Sequence, residues 1–444
     1  MASGESIAES PAHEETQTDS RFDVVVVGAS IAGCTAARLY ALQGLRVALV
    51  EQHRHVDTYK KLCTHFIQSS AFPTIRKLGL QPVIEQLGGV RNSAVLWTDY
   101  GWTREAPPRD KSGNVLYGYN IRRMRLDPAL RELAAQTPGV TPLFGCVARA
   151  LVREQRLVTG VEIGGQHSGA LRARLIVAAD GRNSRCAELA QVATKSSPNC
   201  RAFALRAYRN VPLRRGECSQ MWLAGDDTAY VFPNDDGVTV VGYMPHQDTL
   251  AAFRADPNTA LEQGVARLPD APDLKNAQPL GPTLLVKDYP NLWRPAVADG
   301  MALIGDAAMS TDPLWGVGCG FAFQMAHWLV DCTSGELLAQ RTAREGLKRY
   351  SKTVARQLGG HRFLIADQSR RRRLNAIERL MFSAAAKDEG MAQHLHTFGS
   401  RLIGPARFLA PSALLRAAWI NLRAAPAPLS STTPKSDYNG VARG

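Results

Sequence analysis

The sequence predicts an α/β fold in three parts: a parallel sheet flanked by helices, an inserted and mostly antiparallel sheet, and a set of C-terminal helices. Three observations lead to this prediction. A β-α-β pattern opens the folded region, apolar strands of the buried type recur at 175–179 and 301–304, and the stretch between them alternates as antiparallel strands do. The chain of 444 residues is long enough for two or three domains.

The elements follow from the hydrophobic pattern in chain order. The β-α-β unit has strands at 23–27 and 46–52 and a helix at 34–42, and its connection makes the two strands parallel. The later predicted elements are helices at 73–88 and 126–135, short strands from 147 to 179, alternating strands from 201 to 245 with a hairpin turn at Asp235–Gly237, a strand at 301–304, and helices from 321 to about 422.

Composition and charge narrow the classes of function. The 53 Lys and Arg against 40 Asp and Glu give a net charge of +13, which suits an anionic cofactor, an acidic partner or a membrane surface. No basic module with interleaved aromatic residues is present, so no nucleic-acid partner is expected. The eight cysteines form no C-x-x-C pair, so neither disulfides nor a metal site is predicted. Without an apolar signal segment or a membrane-spanning run, a cytoplasmic location is expected.

The turn "GASIAG" after the first strand has the spacing of the Rossmann G-x-G-x-x-G fingerprint, with serine in place of the middle glycine. Gly28 and Gly33 take the roles of tight turn and close helix packing, while Ala29 and Ser30 lie where backbone approaches a diphosphate. The amides at the helix start favour an anion. Glu51 closes the second strand, where the fingerprint has an acid for a ribose hydroxyl. The pattern does not distinguish FAD from NAD, and a glycine turn that serves only packing is the alternative.

Two later motifs distinguish the cofactors. One apolar strand ends in Asp180-Gly181, and another ends in Gly305-Asp306. The second motif continues into a P-x-x-G-x-G stretch and a further glycine, at Pro313, Gly316, Gly318 and Gly320. In order and spacing over about residues 21 to 360, the three motifs resemble those of FAD-dependent monooxygenases of the p-hydroxybenzoate hydroxylase type, which are related to the halogenase and geranylgeranyl reductase branches.

The resemblance implies a Rossmann-like FAD-binding domain and roles for several residues. Asp306 would meet the ribityl hydroxyls, and the glycines after Pro313 would let backbone lie close to the flavin ring. The D-G motif would lie near the diphosphate and the path of NAD(P)H. Arg123 resembles the arginine that reaches the FAD phosphates, with Arg122 and Arg125 as alternatives. No second fingerprint for NAD(P)H is present, which is typical of enzymes that bind the nicotinamide transiently.

The function implied is that of a single-component monooxygenase, using NAD(P)H and O2 to hydroxylate or epoxidise a medium-to-large aromatic or apolar organic substrate through a C4a-hydroperoxyflavin. Secondary metabolism is the expected setting. A reductase of isoprenoid double bonds is an alternative, because "KKLC" from Lys60 loosely resembles the K-x-C-G stretch of the reductase branch. A halogenase is a further alternative, although the W-x-W-x-I-P stretch is absent. A non-catalytic flavin-binding interaction protein is the remote one.

Candidates for the pocket and for acid–base chemistry come from the inserted sheet and the loops. The substrate-pocket candidates are Met221, Tyr230, Phe232 and Trp315, because alternation turns Tyr230 and Phe232 to the same face. His65 and Tyr230 are candidate proton acceptors for a phenol or indole. Core packing of the aromatic residues, and a backbone hydrogen bond for His65, are the alternatives.

The predicted domain boundaries follow from these assignments. The FAD-binding domain takes 21–90, 120–195 and 290–365, the substrate domain 91–119 and 196–289, the C-terminal helices 366–424, and loose tails 1–20 and 425–444. In the last helix, one apolar face carries Leu415, Trp419 and Leu422 with Arg416 and Arg423 at its border. Docking on the first domain, a membrane surface, cover for the substrate, and contact with an acidic carrier protein are the alternatives for this face.

Overall fold

A computed structural model describes residues 20–370 and 374–423, so the predicted tails lie outside the described residues except for Ser20. The strands are β1 Ser20–Val27, β2 Val47–Glu51, β3 Phe66–Ile67, β4 Val90–Asn92, β5 Ala94–Thr98, β6 Gly101–Trp102, β7 Gly118–Asn120, β8 Val140–Phe144, β9 Cys146–Glu154, β10 Leu157–Gly165, β11 Gly169–Ala178, β12 Lys195–Ser197, β13 Phe203–Arg209, β14 Ser219–Ala224, β15 Asp227–Pro233, β16 Val238–Met244, β17 Gln278–Val286, β18 Asn291–Trp293, β19 Val297–Ala298, β20 Met301–Leu303 and β21 Met309–Ser310. The α-helices are α1 Ile31–Leu42, α2 Phe72–Lys77, α3 Gln81–Gln86, α4 Arg123–Ala135, α5 Arg185–Leu189, α6 Leu250–Ala255, α7 Pro257–Ala266, α8 Gly318–Leu338, α9 Arg344–Gln368, α10 Ala376–Lys387, α11 Glu389–Gly399, α12 Pro405–Phe408 and α13 Pro411–Arg423.

The first layer is a sheet in the order β19-β20-β11-β1-β2-β8, in which β9 and β10 extend from β11 as an antiparallel hairpin. β1 is parallel to both β2 and β11, and β11 is parallel to β20. The predicted β-α-β unit is confirmed. Because parallel strands end at the same edge of a sheet, the carboxyl ends of β1, β2, β11 and β20 bring the glycine turn, Glu51 and the two later motifs together.

Burial explains why these segments are strands. Residues Val24, Val25 and Val26 of β1 are each fully buried, as are four consecutive residues of β2. A strand buried on both faces reads as a continuous apolar run rather than an alternation. Helix α1 packs against α4 and α8, and the hydroxyl of Tyr40 hydrogen-bonds that of Thr333 at 2.6 Å.

The inserted sheet has the order β17-β13-β16-β15-β14-β5-β6 and is antiparallel except for the β5–β14 pair. The mostly antiparallel character predicted for this region is confirmed. Its hairpin turn lies at the predicted position between β15 and β16, where Asp236 and Gly237 have φ of 59° and 64°. One face packs on α6 and α7 through Trp222 and Phe253.

The other face of the inserted sheet is covered by the C-terminal helices. Phe203, Tyr230 and Phe232 share one apolar cluster with Phe382 and Met391. Helices α10 and α11 therefore cover this face, and Trp315 packs against both this cluster and the core of the first layer. Among the residues that the structure describes, no helix is long and apolar enough to cross a membrane.

Helix α13 packs on α10, but not through the face that the apolar pattern marks. Leu415, Trp419 and Leu422 are 72%, 54% and 83% exposed, so docking of this face on the first domain is wrong. The opposite face is buried instead, because the small Ala417 permits close approach and the Asn421 amide donates to the carbonyl oxygen of Leu380 at 3.0 Å.

Candidate functional site

The turn at the end of β1 requires its glycines. Gly28 has a φ of +103°, and a Cβ there would lie 2.5 Å from the carbonyl oxygen of Ala179. A Cβ at Gly33 would lie 1.7 Å from the carbonyl oxygen of Gly28. The turn and the start of α1 are therefore packed as closely as backbone allows, with the first amides of α1 facing outward from the sheet edge. Ser30 is the residue before α1, and its hydroxyl does not cap the helix.

Glu51 lies beside this turn as predicted from its position at the end of β2. The carboxylate is 7% exposed and accepts hydrogen bonds from the backbone amides of Ala29 at 2.7 Å and His53 at 3.0 Å. Each oxygen holds one amide and keeps a further lone pair. That arrangement suits acceptance of ribose hydroxyls by a carboxylate fixed in place.

Arg123 is the arginine that reaches the glycine turn. It begins α4, is 3% exposed, and donates from Nε to Asp127 at 2.5 Å and from Nη2 to the Ser30 hydroxyl at 2.8 Å. Burial opposes the charge, but the Asp127 carboxylate and two nearby cysteines raise the pKa of Arg123 well above its ordinary value. The two alternative arginines have other surroundings. Arg122 pairs with the buried Asp235 at 2.7 Å, and Arg125 is exposed.

Asp306 follows β20 in the short turn Gly305–Ala307. Its carboxylate accepts a hydrogen bond from Lys60 Nζ at 2.6 Å, and the backbone amide of Lys60 donates to Asp127 at 3.0 Å. Lys60 was not among the predicted cofactor residues, although it directly precedes the K-x-C stretch Lys61-Leu62-Cys63. Two cations, Lys60 and Arg123, thus lie beside the glycine turn and the G-D motif, where a diphosphate would need them.

Asp180 and Gly181, just after the end of β11, have different surroundings. The Asp180 carboxylate accepts hydrogen bonds from the Ser184 hydroxyl at 2.5 Å and the Cys186 amide at 2.9 Å, so it fixes the start of α5. Gly181 has a φ of +82°, and an added Cβ would meet no atom of the described chain within 4 Å. The glycine therefore faces open space at the sheet edge.

The stretch after Pro313 leads from a short 3-10 turn into α8. Gly316 has a φ of +60°, and Gly318 has no described atom within 4 Å of an added Cβ. A Cβ at Gly320 would lie 3.7 Å from both Gln68 Oε1 and Ser70 Oγ. Within residues 20–370 and 374–423 these two buried oxygens have no hydrogen-bond partner. The start of α8 thus faces polar atoms that a bound group would satisfy.

These observations test whether FAD fits the site. Open backbone at Gly181 and Gly318, two cations beside the glycine turn, a fixed carboxylate at Glu51 and unpartnered oxygens opposite α8 are what a flavin, a diphosphate and a ribose require. The residues present fit the group.

His65 and Cys63 lie in the loop between β2 and β3. His65 has a φ of 61°, and its Nδ1 accepts the backbone amide of Arg123 at 3.0 Å, so the imidazole fixes the start of α4. Cys63 Sγ lies 3.7 Å from Cys319 Sγ. The hydrogen bond with Cys319 holds the pKa of Cys63 well below its usual value, and His65 and Arg123 lower it further. Burial alone would raise it.

The four pocket candidates lie together in the apolar cluster between the inserted sheet and the C-terminal helices. Tyr230 and Phe232 stack with ring centroids 4.8 Å apart, and Met221 lies opposite Tyr230 on the next strand. Phe66, which lies on the loop side, contacts Phe232 at 5.0 Å. Burial raises the pKa of Tyr230 well above its ordinary value, so the phenol is neutral at pH 7 and unsuited to accept a proton.

A surface groove of about 1260 Å³ lies elsewhere, between β1, β11 and the start of α9. Its lining includes Phe22, Arg174 and Leu347, and none of the residues described above. Volume alone therefore does not mark the site, since the closely packed sheet edge carries the chemistry.

Comparison with known proteins identifies the family. The family model described as "FAD binding domain" matches residues 21–357. Digeranylgeranylglycerophospholipid reductase 1 of Methanothermobacter thermautotrophicus is 25% identical over 359 residues, covering 79% of this chain and 83% of that protein. Kynurenine 3-monooxygenase of Salinispora arenicola is 26% identical over 337 residues, covering 70% and 72%. The solved flavin-dependent brominase Bmp2 superposes with a TM-score of 0.71 at 16% identity, covering 91% of this chain and 100% of that one. The chain therefore belongs to the FAD binding domain family, and it is an oxidoreductase whose cofactor is FAD.

Proposed function

We propose that the chain is a single-component monooxygenase that uses NAD(P)H and O2 to oxygenate an aromatic substrate. The observation that carries this proposal is the apolar, aromatic cluster between the inserted sheet and the C-terminal helices, next to the glycine-rich start of α8. Phe66, Phe232 and Trp315 belong to it, and Trp315 is only three residues from Gly318. Aromatic walls favour a planar substrate, which can stack with ring centroids about 4.5–7 Å apart.

The residues at the sheet edge would hold FAD. Glu51 would accept from the ribose, the first amides of α1 with Ser30, Arg123 and Lys60 would meet the diphosphate, and Asp306 would face the ribityl chain. FAD supplies the redox chemistry once bound, because it takes hydride from NAD(P)H and reacts with O2. The amides at the start of α8 would stabilise negative charge on the near edge of the ring.

The rest of the chain would orient the substrate and exclude water. We propose that residues 91–119 and 196–289 form the substrate domain, since the strands of the inserted sheet come from 94–102 and 203–286. The C-terminal helices cover its aromatic face. Apolar side chains around the site would keep water from the reacting atoms. Neither Tyr230 nor His65 is proposed as the proton acceptor, because the Tyr230 phenol is neutral at pH 7 and the His65 Nδ1 atom already accepts a backbone amide.

The test starts from the purified protein. An absorption band at about 450 nm that NADPH bleaches without oxygen and air restores is expected of the bound flavin. Substrates are then screened for stimulated O2 consumption and for incorporation of ¹⁸O, beginning with kynurenine because of the monooxygenase relative. Incorporation of one labelled oxygen atom supports the proposal. Flavin turnover with no labelled product from any aromatic compound would contradict it.

A reductase of isoprenoid double bonds is the second candidate. It is favoured by the relative named digeranylgeranylglycerophospholipid reductase and by the K-x-C stretch, in which Cys63 contacts Cys319; Lys60, just before the stretch, contacts Asp306. The same screen decides between the two. Anaerobic saturation of a geranylgeranyl lipid would favour the reductase, whereas oxygen-dependent product favours the monooxygenase.

A further inference from the structure

Two cysteines that the proposed function does not use lie in contact beside the glycine-rich start of α8. Cys63 is in the loop between β2 and β3, and Cys319 is the second residue of α8. Their Sγ atoms are 3.7 Å apart, although 256 positions separate them in the chain. A disulfide holds two sulfurs about 2.05 Å apart, so a small movement of the side chains would bring this pair within bonding distance.

The charges around the pair favour a thiolate on one sulfur and a thiol on the other. Arg123 Nη1 lies 4.0 Å from Cys63 Sγ and 3.9 Å from Cys319 Sγ, and the backbone amide of His65 donates to Cys63 Sγ at 3.2 Å. The bond between the two sulfurs lowers the pKa of Cys63 well below its usual value, and it raises the pKa of Cys319 well above. Cys63 is therefore the nucleophile, and Cys319 keeps its proton.

The other cysteines have different surroundings. All eight are free thiols, and within the described part of the chain no second pair of them is hydrogen-bonded. Burial raises the pKa of Cys186 well above its usual value, that of Cys218 to about 12, and that of the half-buried Cys332 as well. Oxidants attack the thiolate and spare a buried neutral thiol. Oxidation is therefore expected at Cys63 before these three.

The segment that carries Cys63 is already held at both ends. The ion pair of the preceding lysine with the G-D motif, described above, holds its start. After β3 the Gln68 amide donates to the carbonyl oxygens of Trp315 at 3.0 Å and Gly399 at 2.9 Å, and we call these two hydrogen bonds the Gln68 bridge. A covalent bond from Cys63 to Cys319 would fix the middle of this segment against α8.

We propose that Cys63 and Cys319 form a dithiol–disulfide switch that hydrogen peroxide closes, tying the loop between β2 and β3 to the start of α8. The Cys63 thiolate attacks one peroxide oxygen, the O–O bond breaks, and hydroxide leaves a sulfenic acid on Cys63. The Cys319 sulfur then displaces the hydroxyl group from Cys63: the S–S bond forms, the S–O bond breaks, and the Cys319 proton leaves with the hydroxyl group as water. The two thiols lose two electrons in total, and the peroxide takes them up.

The test maps the cysteines of the FAD-loaded protein after exposure to hydrogen peroxide. The protein is reduced, freed of reductant, treated with peroxide, alkylated in denaturant and digested for mass spectrometry. Linked peptides that contain Cys63 and Cys319, lighter by two hydrogen atoms than the two thiol peptides together, are expected, and dithiothreitol should restore both thiols. The Cys63 thiol should disappear at least about 10-fold faster than that of Cys332.

Three variants separate the roles of the two sulfurs. Cys319→Ser should stop at the sulfenic acid on Cys63, which dimedone traps, and Cys63→Ser should give neither the linked peptides nor a dimedone adduct at Cys319. Cys332→Ser is the matched control, because Cys332 is also a free thiol on α8 that is not fully buried, but it contacts no second thiol of the described residues. It should form the linked peptides at the unaltered rate.

A second measurement reports the tie itself. The oxidised protein should release FAD more slowly than the reduced protein, as measured by the rise of flavin fluorescence, and peroxide should leave the release rate of Cys63→Ser unchanged. A persistent sulfenic acid on Cys63 of the unaltered protein, or a link from Cys63 to another cysteine, would overturn the proposal even if no variant folds. Equal release rates in the two forms would overturn the switch. The proposal goes beyond the proposed function and holds for either candidate, because peroxide is a reactant in neither.

Discussion

Arg123 and Arg401 are both buried, 3% and 9% exposed, yet their surroundings differ. Arg123 is enclosed by Asp127, the Ser30 hydroxyl and two cysteines, whereas Arg401 faces a neutral histidine and two aromatic rings. The first charge is balanced within the fold. The second has no acidic partner among the described residues.

The difference shows that burial alone does not tell whether a charge is balanced within the fold. Asp127 lies one helical turn from Arg123, so α4 brings its own counterion. Arg401 is outside any helix, in a left-handed position that few side chains favour. Its placement depends on the end of α11 and on the Gln68 bridge, which are tertiary features.

The largest effect is expected from Arg123→Leu. It leaves the Asp127 carboxylate buried and unpaired, so the free energy of unfolding should fall by about 3–5 kcal/mol. The ratio of flavin to protein should fall as well. Urea unfolding and the absorbance ratio at about 450 nm to 280 nm measure the two effects.

The double variant Arg123→Leu/Asp127→Asn is the control for that experiment. Removing both charges should restore a large part of the stability but not the flavin content. A single variant no less stable than the double variant would show that the pair does not balance charge in the fold.

Arg401→Met should change the free energy of unfolding in the opposite direction, raising it. In protein without substrate it removes an unpaired buried charge and keeps an apolar side chain of similar length, so the free energy of unfolding should rise by about 1–3 kcal/mol. The same urea titration measures it. A loss comparable to that of Arg123→Leu would mean that Arg401 has a counterion in the ligand-free protein.

The buried His361, which contacts Arg401, should make the stability of the protein depend on pH. Its pKa is lowered from 6.5 to about 3 in the folded state, first by burial and then by Arg401. Above pH 6.5 the imidazole is neutral in both states, and below it only the unfolded state takes up the proton. Stability should therefore fall as the pH drops from 6.5, by at most about 1.4 kcal/mol per pH unit.

Urea unfolding at pH 7, 6 and 5 measures that slope. In the variant His361→Gln, the fall of the free energy of unfolding with pH should correspond to the uptake of one proton fewer. In Arg401→Met the pH dependence of stability should become weaker but persist, because the burial that also lowers the pKa of His361 remains. An unchanged slope in His361→Gln would assign the pH dependence to other groups.

The smallest effect is expected from Lys60→Gln. The Lys60 side chain is 40% exposed and its partner Asp306 is 20% exposed, so solvent screens the pair. The free energy of unfolding should fall by less than about 1 kcal/mol, and the difference should narrow in high salt. A loss as large as that for Arg123→Leu would place this pair with the buried charges.

The sequence predicted the parts of the site that depend on local patterns. The glycine turn, Glu51 and the two strand-end motifs meet at one sheet edge because parallel strands share their carboxyl ends, and the strands were readable from continuous apolar runs. The antiparallel insert was readable from alternation and from the turn at Asp235–Gly237.

The rest depends on contacts between distant segments, which a local pattern does not contain. Lys60 meets Asp306, and Cys63 meets Cys319, only after the loop folds over the sheet edge. Arg401 gave no signal, because an arginine in a polar stretch is usually solvated. In α13 the apolar face was identified, but the small Ala417 rather than the large side chains decided which face packs.

The bridge made by Gln68 has a consequence for protein engineering. Because one amide group holds both the Trp315 and the Gly399 carbonyl oxygens, the C-terminal helices are not a separable cassette. A chimera that takes α10 to α13 from a relative would inherit an α11 whose end has to match position 68 and the loop before α8. Directed evolution of substrate range should therefore randomise Gln68 together with the residues around Gly399.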